Sequence, residues 1–307
     1  MPQIGLGLAA IGRPAYINLG RDEDLGADRS VETLRAEAHT VLDAARDAGV
    51  GWIDTARSYG RAEEFLGDWL HEREITPDAL TISSKWGYAY VGQWRMDAEV
   101  HERKQLDANQ LRRQLAQTRS LLGDQLDVYA IHSATIESGV LEDAEVLGLL
   151  AELRRSGVRV GLSTTGPAQA ATIDRAVELE RFDVVQATWN LYERSAGDAL
   201  ARAKEAGLTV MVKEGVANGR LTAHAAPPEL AAAAQELDTT PDAIALAAIL
   251  ARPWVDVVLS GAVTPAMLRS NLAATDVVWT DALEGRLAPL ARDPETYWGE
   301  RSALPWG

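Results

Sequence analysis

Residues 126–163 read LDVYAIHSATIESGVLEDAEVLGLLAELRRSGVRVGLS, and the order within that stretch decides the fold. Residues 126–132 and 158–163 are short and mostly apolar, as strands buried on both faces must be. Between them Asp143 offers a helix cap, residues 143–155 carry helical spacing, and Gly157 stops the helix just before the second strand. Strand, helix and strand in that order make one parallel βαβ unit.

Working outward, the same unit repeats. Further strand candidates are residues 3–9, 51–54, 80–86, 183–187, 209–213 and 255–260. Residues 31–48 place Leu34, Ala38, Val41, Leu42 and Ala45 at helical spacing before Gly49. Residues 106–122, with Leu111, Leu115 and Leu122, end at Gly123, and residues 196–206 end at Gly207. The alanine-rich run 230–234 reads as ordinary helix. Eight such strands predict a closed (β/α)8 TIM barrel, with a doubly wound open sheet as the alternative. No composition break marks a second domain, so residues 1–307 are expected to form one domain. The units share architecture without sequence self-similarity, which excludes a solenoid.

Bulk composition narrows the function. At 307 residues and 47% hydrophobic, the chain can bury a large core. No apolar run approaches the roughly 20 residues of a membrane span. The start MPQIGLGLAAIGRP has no basic stretch before an apolar run, so a cytoplasmic chain is expected. The chain has no cysteine, which excludes disulfides, thiolate metal sites and cysteine nucleophiles and fits a reducing compartment. A net charge of −15 repels nucleic acid and anionic membranes. An anionic cofactor must then be held by local dipoles and a few placed cations. The histidines, at 39, 71, 101, 132 and 224, show no metal-ligand spacing, and no metal is expected. His71 and His101 read as solvated surface. Oligomeric state is left open.

Three loops follow strands or the last unit, at 13–31, 87–105 and 282–307. In a barrel, loops after strands lie on the face where active sites are built. The aromatics of 87–105, Tyr88, Tyr90 and Trp94, either line a substrate pocket or cover the rim.

Four polar residues carry the chemistry. Asp54, Lys85 and His132 end predicted strands, and Tyr59 lies five residues past Asp54. A barrel brings those strand ends to one face. An ammonium at the end of an apolar strand needs a counter-ion, and Asp54 is the obvious one. Reducing a carbonyl needs a hydride on carbon and a proton at oxygen. A nearby ammonium would lower the phenol pKa from about 10 toward the working range, and a histidine would orient the carbonyl.

The segments D-T-A-R-S-Y-G, S-S-K-W and Y-A-I-H-S together resemble the aldo-keto reductase family, over residues 4–274. The resemblance implies a metal-free NAD(P)H-dependent reduction of an aldehyde or ketone, or the reverse on a sugar or small carbonyl compound. In it Tyr59 is the general acid, Lys85 and Asp54 tune it, and His132 positions the carbonyl. It also implies a cofactor stretched across the barrel mouth. Ser163 and Gln186 would hold the carboxamide, with Thr164 standing where Asn is commoner, and Trp189 would stack on the nicotinamide. The seventh-strand loop, with Lys213, Gly215, Asn218, Gly219 and Arg220, would take the pyrophosphate. Ser260, Gly261 and Asn271 would serve the adenosine end. Many members grip a 2′-phosphate with Lys and Arg where Gly261 and Met267 stand here, with Arg269 a possible substitute. NADP(H) is favoured as the commoner family habit, with NAD(H) possible. The alternative function is a nicotinamide-binding redox-sensing regulatory subunit with little turnover. An unrelated barrel enzyme acting on phosphorylated sugars is a third reading.

Overall fold

The computed structural model describes residues 2–306; Met1 and Gly307, the ends of the expected domain, lie outside the described residues. All eight strand candidates form strands. In chain order the strands are β1 (Gln3–Gly7), β2 (Trp52–Asp54), β3 (Thr81–Trp86), β4 (Tyr88–Tyr90), β5 (Glu102–Lys104), β6 (Val128–Ala134), β7 (Arg159–Thr164), β8 (Val184–Thr188), β9 (Thr209–Lys213) and β10 (Val257–Ser260). All but β4 and β5 close into one parallel barrel in the order β1, β2, β3, β6, β7, β8, β9, β10. Closure is at β1, where Gln3 registers with Val257 and Leu6 with Ile53. An open sheet would leave two unpaired edges, and this one leaves none.

The helices are α1 (Arg21–Leu25), α2 (Val31–Asp47), α3 (Ala62–Glu72), α4 (Ala108–Leu122), α5 (Ala144–Arg155) and α6 (Gln169–Leu179). There follow α7 (Gly197–Glu205), α8 (Pro228–Glu236), α9 (Pro241–Leu250), α10 (Pro265–Leu272), α11 (Asp281–Leu287) and α12 (Pro294–Ser302). Ser30, Asp107 and Asp143 accept backbone N–H bonds at the starts of α2, α4 and α5, each stabilising by about 1 kcal/mol. Gly157 and Gly207 leave their helices with φ of +99° and +88°, which a side chain would resist.

Strand residues alternate between the barrel interior and the helix layer. Trp52, Val128, Val184, Met211, Val257 and Leu259 make a small apolar cluster separate from the large one. The loop expected at 87–105 is instead a hairpin, with Tyr88 opposite Lys104 and Tyr90 opposite Glu102. Loop 13–31 contains α1, the tail contains α12, and the alanine-rich run lies in α8.

Candidate active site

The short parallel strands deliver Asp54, Lys85 and His132 to one end of the barrel. Lys85 Nζ donates to Asp54 Oδ2 at 2.5 Å and to the Thr55 carbonyl at 2.9 Å. The lysine is 1% exposed and the aspartate 3%, so each charge depends on the other. Asp54 Oδ1 accepts the Ser83 hydroxyl at 2.7 Å, and Ser83 Oγ accepts Trp52 Nε1 at 2.9 Å. The ion pair is thereby anchored to the apolar barrel floor.

Tyr59 lies over this pair. Lys85 Nζ is 5.1 Å from its ring centroid, and the His132 ring meets it edge-on at 5.5 Å. The turn carrying Tyr59 packs against Gly12, where a Cβ would come within 2.4 Å of the Tyr59 carbonyl oxygen. Only glycine lets the first loop back this turn so closely.

Electrostatics correct one expectation. Burial holds the Tyr59 phenol well above its ordinary 10, Asp54 adds to the rise, and Arg13 opposes it. The neighbouring Lys85 ammonium does not bring the phenol below its ordinary value, because burial outweighs it. Burial, followed by the Lys85 charge, pushes His132 well below 6.5, so its imidazole is neutral at pH 7. The Ser58 hydroxyl lies 3.4 Å from His132 Nδ1.

Above the four residues opens an inner cleft of about 1120 Å³, lined by Asp54, Tyr59 and His132 together with Gln186, Lys213, Gly215, Asn218, Ser260 and Gly261. An outer cleft of about 790 Å³ adjoins it, sharing Asn18, Val216 and Gly261, and is lined also by Gly219 and Asn271. Lys213 Nζ donates to Thr188 Oγ1 at 2.8 Å, and burial holds the amine down to about 8. Asn271 is already committed, with Nδ2 donating to Asp242 and Oδ1 accepting from Ser260, both at 2.6 Å.

Four residues expected to hold the cofactor are not brought to the clefts. Trp189 lies edge-on to Trp254 at 5.7 Å with Arg252 and Arg194 against it, so it fills core rather than offering a stacking face. Arg220 turns away to Glu300 at 3.0 Å and covers the Tyr297 ring at 4.6 Å, fastening α12. Ser163 and Thr164 are fully buried, and Ser163 Oγ accepts the Ser133 N–H at 2.8 Å; Thr165 lines the inner cleft in their place.

Sequence reading missed several lining residues. Arg13, Tyr16, Glu102, Glu214, Arg301 and Trp306 all face the inner cleft. Arg301 from α12 makes a two-pronged bond to Glu214 at 2.6 and 3.0 Å. Burial alone would raise Glu214, but Arg301 and Lys213 carry it down to about 2. Trp306 stacks on His101 at 4.3 Å, so His101 is buried rather than solvated. The partners are 87 residues apart in Glu214–Arg301 and 205 apart in His101–Trp306, beyond any local pattern.

Two observations bear on a dinucleotide. The adjoining clefts form one elongated groove across the barrel mouth. Asn218 Oδ1 is buried with no partner among the described residues, and a Cβ at Gly261 would meet nothing within 4 Å. The groove therefore has both room and an unspent acceptor.

A barrel with a buried ion pair beneath a tyrosine and a histidine defines a class of site, and comparison with known proteins agrees. The model of the aldo/keto reductase family matches residues 4–284. An NADH-specific methylglyoxal reductase of Escherichia coli (strain K12) is 24% identical over 315 residues, covering 92% of both chains. A D-threo-aldose 1-dehydrogenase of a Pseudomonas species is 25% identical over 295 residues, covering 82% of this chain and 89% of that one. A solved aldo-keto reductase from Bacillus halodurans, in holo form, superposes with a TM-score of 0.71 at 19% identity, covering 94% of this chain and 92% of that one. The chain belongs to the aldo/keto reductase family, oxidoreductases that act on carbonyl compounds. Among the described residues no helix is long and apolar enough to cross a membrane.

Proposed function

We propose that residues 1–307 form one enzyme domain that transfers hydride between a nicotinamide cofactor and a small carbonyl or sugar substrate, with Tyr59 as the proton donor. The observation that carries this reading is the buried Lys85–Asp54 pair directly beneath Tyr59 and beside His132.

The phenol raised by burial is fully protonated at pH 7 and ready to give its proton to a carbonyl oxygen. Lys85 then stabilises the phenolate left behind, since the two become opposite charges in a dry site. If the Ser58 hydroxyl, 3.4 Å away, donates to His132 Nδ1, the neutral imidazole carries its proton on Nε2, where it can hold the substrate oxygen. Bound cofactor supplies the hydride. Gln186, Lys213, Gly215, Asn218, Gly219, Ser260, Gly261 and Asn271 would hold it, and their lining of the two clefts supports that role.

The expectation of NADP(H) gives way to NAD(H) as the preferred cofactor. The outer cleft presents the carboxylates of Asp24 and Asp242, which oppose a 2′-phosphate. Arg21 lines it too, but its guanidinium already donates to the carbonyls of Ala10, Pro14 and Arg13. Arg269 is exposed and lines neither cleft. The Escherichia coli relative is itself described as NADH-specific. The lack of cysteine fits work in a reducing cytoplasm.

Fluorescence titration with NADH and NADPH, then carbonyl-dependent oxidation of the bound form, tests the reading. Binding with turnover of aldehydes or ketones is expected. Failure of both dinucleotides to bind, or binding with no turnover across a broad carbonyl panel, would refute it.

A further inference from the structure

In front of Tyr59 stands a pair of charges that the proton transfer does not use. Arg13, only 2% exposed, sends Nη1 to Glu102 Oε1 at 2.7 Å and Nε to the Ala9 carbonyl at 3.2 Å. Its guanidinium carbon lies 5.2 Å from the Tyr59 ring centroid, 4.6 Å from that of Tyr16 and 5.1 Å from that of Trp306. All five side chains line the inner cleft. Arg13 Nη2 and Glu102 Oε2 have no hydrogen-bond partner among the described residues, and both residues line the inner cleft. The substrate end therefore offers one strong donor and one strong acceptor side by side, walled by two aromatic rings.

That arrangement selects by chemistry. A carboxylate or phosphate beside the carbonyl would gain Arg13 but would be forced against Glu102 in a partly dry cleft. An alkyl group would leave Arg13 Nη2 and Glu102 Oε2 desolvated without a hydrogen-bond partner. A hydroxyl is both donor and acceptor, so it can give its proton to Glu102 and accept from Arg13 at once. The Tyr16 and Trp306 rings, set at 90° to one another, offer apolar faces for the C–H edges of a polyol.

We propose that the pocket takes a carbonyl compound hydroxylated on the carbon next to the carbonyl, an aldose or small hydroxyketone, and that Arg13 and Glu102 recognise that hydroxyl. This rests on Tyr59 marking the carbonyl position, and it deepens that reading by naming the substrate class. Arg13 and Glu102 are specificity residues and take no part in the proton transfer.

The test compares kcat/KM in two matched series with NADH: glyceraldehyde against butanal, and hydroxyacetone against butanone and pyruvate. A site built to bond a hydroxyl rejects an analogue lacking it, because its polar groups stay unpaired. At a partly open rim the expected preference for the hydroxylated member is about 30-fold in each series. In Glu102→Gln and Arg13→Met the ratio should fall below about fivefold. Each ratio is taken within one enzyme, so a poorly folded fraction cancels. Wild-type enzyme that turns over both members equally, or prefers pyruvate, overturns this proposal while leaving the reductase reading intact. So does an unchanged ratio in both variants. No turnover of any compound with either dinucleotide overturns both.

Discussion

Replacing Lys85 with Met should leave the Asp54 carboxylate buried and without its counter-ion. The pair is in contact at 2.5 Å, and its side chains are 1% and 4% exposed, so water cannot take over. Removing one partner of such a pair costs about 3–5 kcal/mol. For 307 residues, unfolding entropy near 2.1 cal/mol/K per residue sums to about 0.64 kcal/mol/K, so Tm should fall by roughly 5–8 °C. Scanning calorimetry of Lys85→Met, Asp54→Asn and the double variant measures this directly. The double variant removes both charges, so it should lose less than the sum of the singles by about 2–3 kcal/mol. Additive losses, or a Tm change under about 1 °C in Lys85→Met, would refute the buried-pair argument.

Three further outcomes follow from the site. Because Tyr59 stays protonated well above pH 10, reduction should be level between pH 6 and 9 as far as this group is concerned. Oxidation of the alcohol, which needs the phenolate, should rise about tenfold per pH unit, and a level oxidation profile would exclude Tyr59 as the acid–base group. Trp189→Ala should cost about 3–5 kcal/mol by emptying core space, yet leave NADH affinity within twofold; a large loss of NADH binding on calorimetric titration would return Trp189 to the cofactor site. NADH should bind at least about tenfold more tightly than NADPH, and Asp24→Asn should narrow that gap, since one carboxylate near a phosphate is worth on the order of 1 kcal/mol at a surface; tighter NADPH binding by the parent enzyme would contradict the outer-cleft argument.

The parts of this structure that were readable from sequence share one property: they are local or periodic. Short buried strands such as VVQAT at 184–188 and VVLS at 257–260 declare themselves by composition, and the cap Asp143 fixes where its helix starts. Asp54, Lys85 and His132 were visible because a charge at the end of an apolar strand is anomalous. Trp189 and Arg220 went astray because residue type says nothing about the direction a side chain takes. Trp189 points to Trp254 and Arg220 to α12, and both partners are distant in sequence. The phenol pKa was misjudged because its largest influence is burial, which exists only in the folded chain. Arg13, Glu102 and Trp306 were missed because the hairpin and the tail that carry them take their places only through tertiary contacts.

The central claim is that the Tyr59 hydroxyl delivers the proton. Single-turnover kinetics of Tyr59→Phe, with NADH affinity measured alongside, test it most directly. General-acid loss in a dry site predicts a fall of about a thousandfold in the rate of the chemical step, with the dissociation constant for NADH changed less than threefold. A Phe variant that keeps its rate within tenfold of the parent would contradict the account.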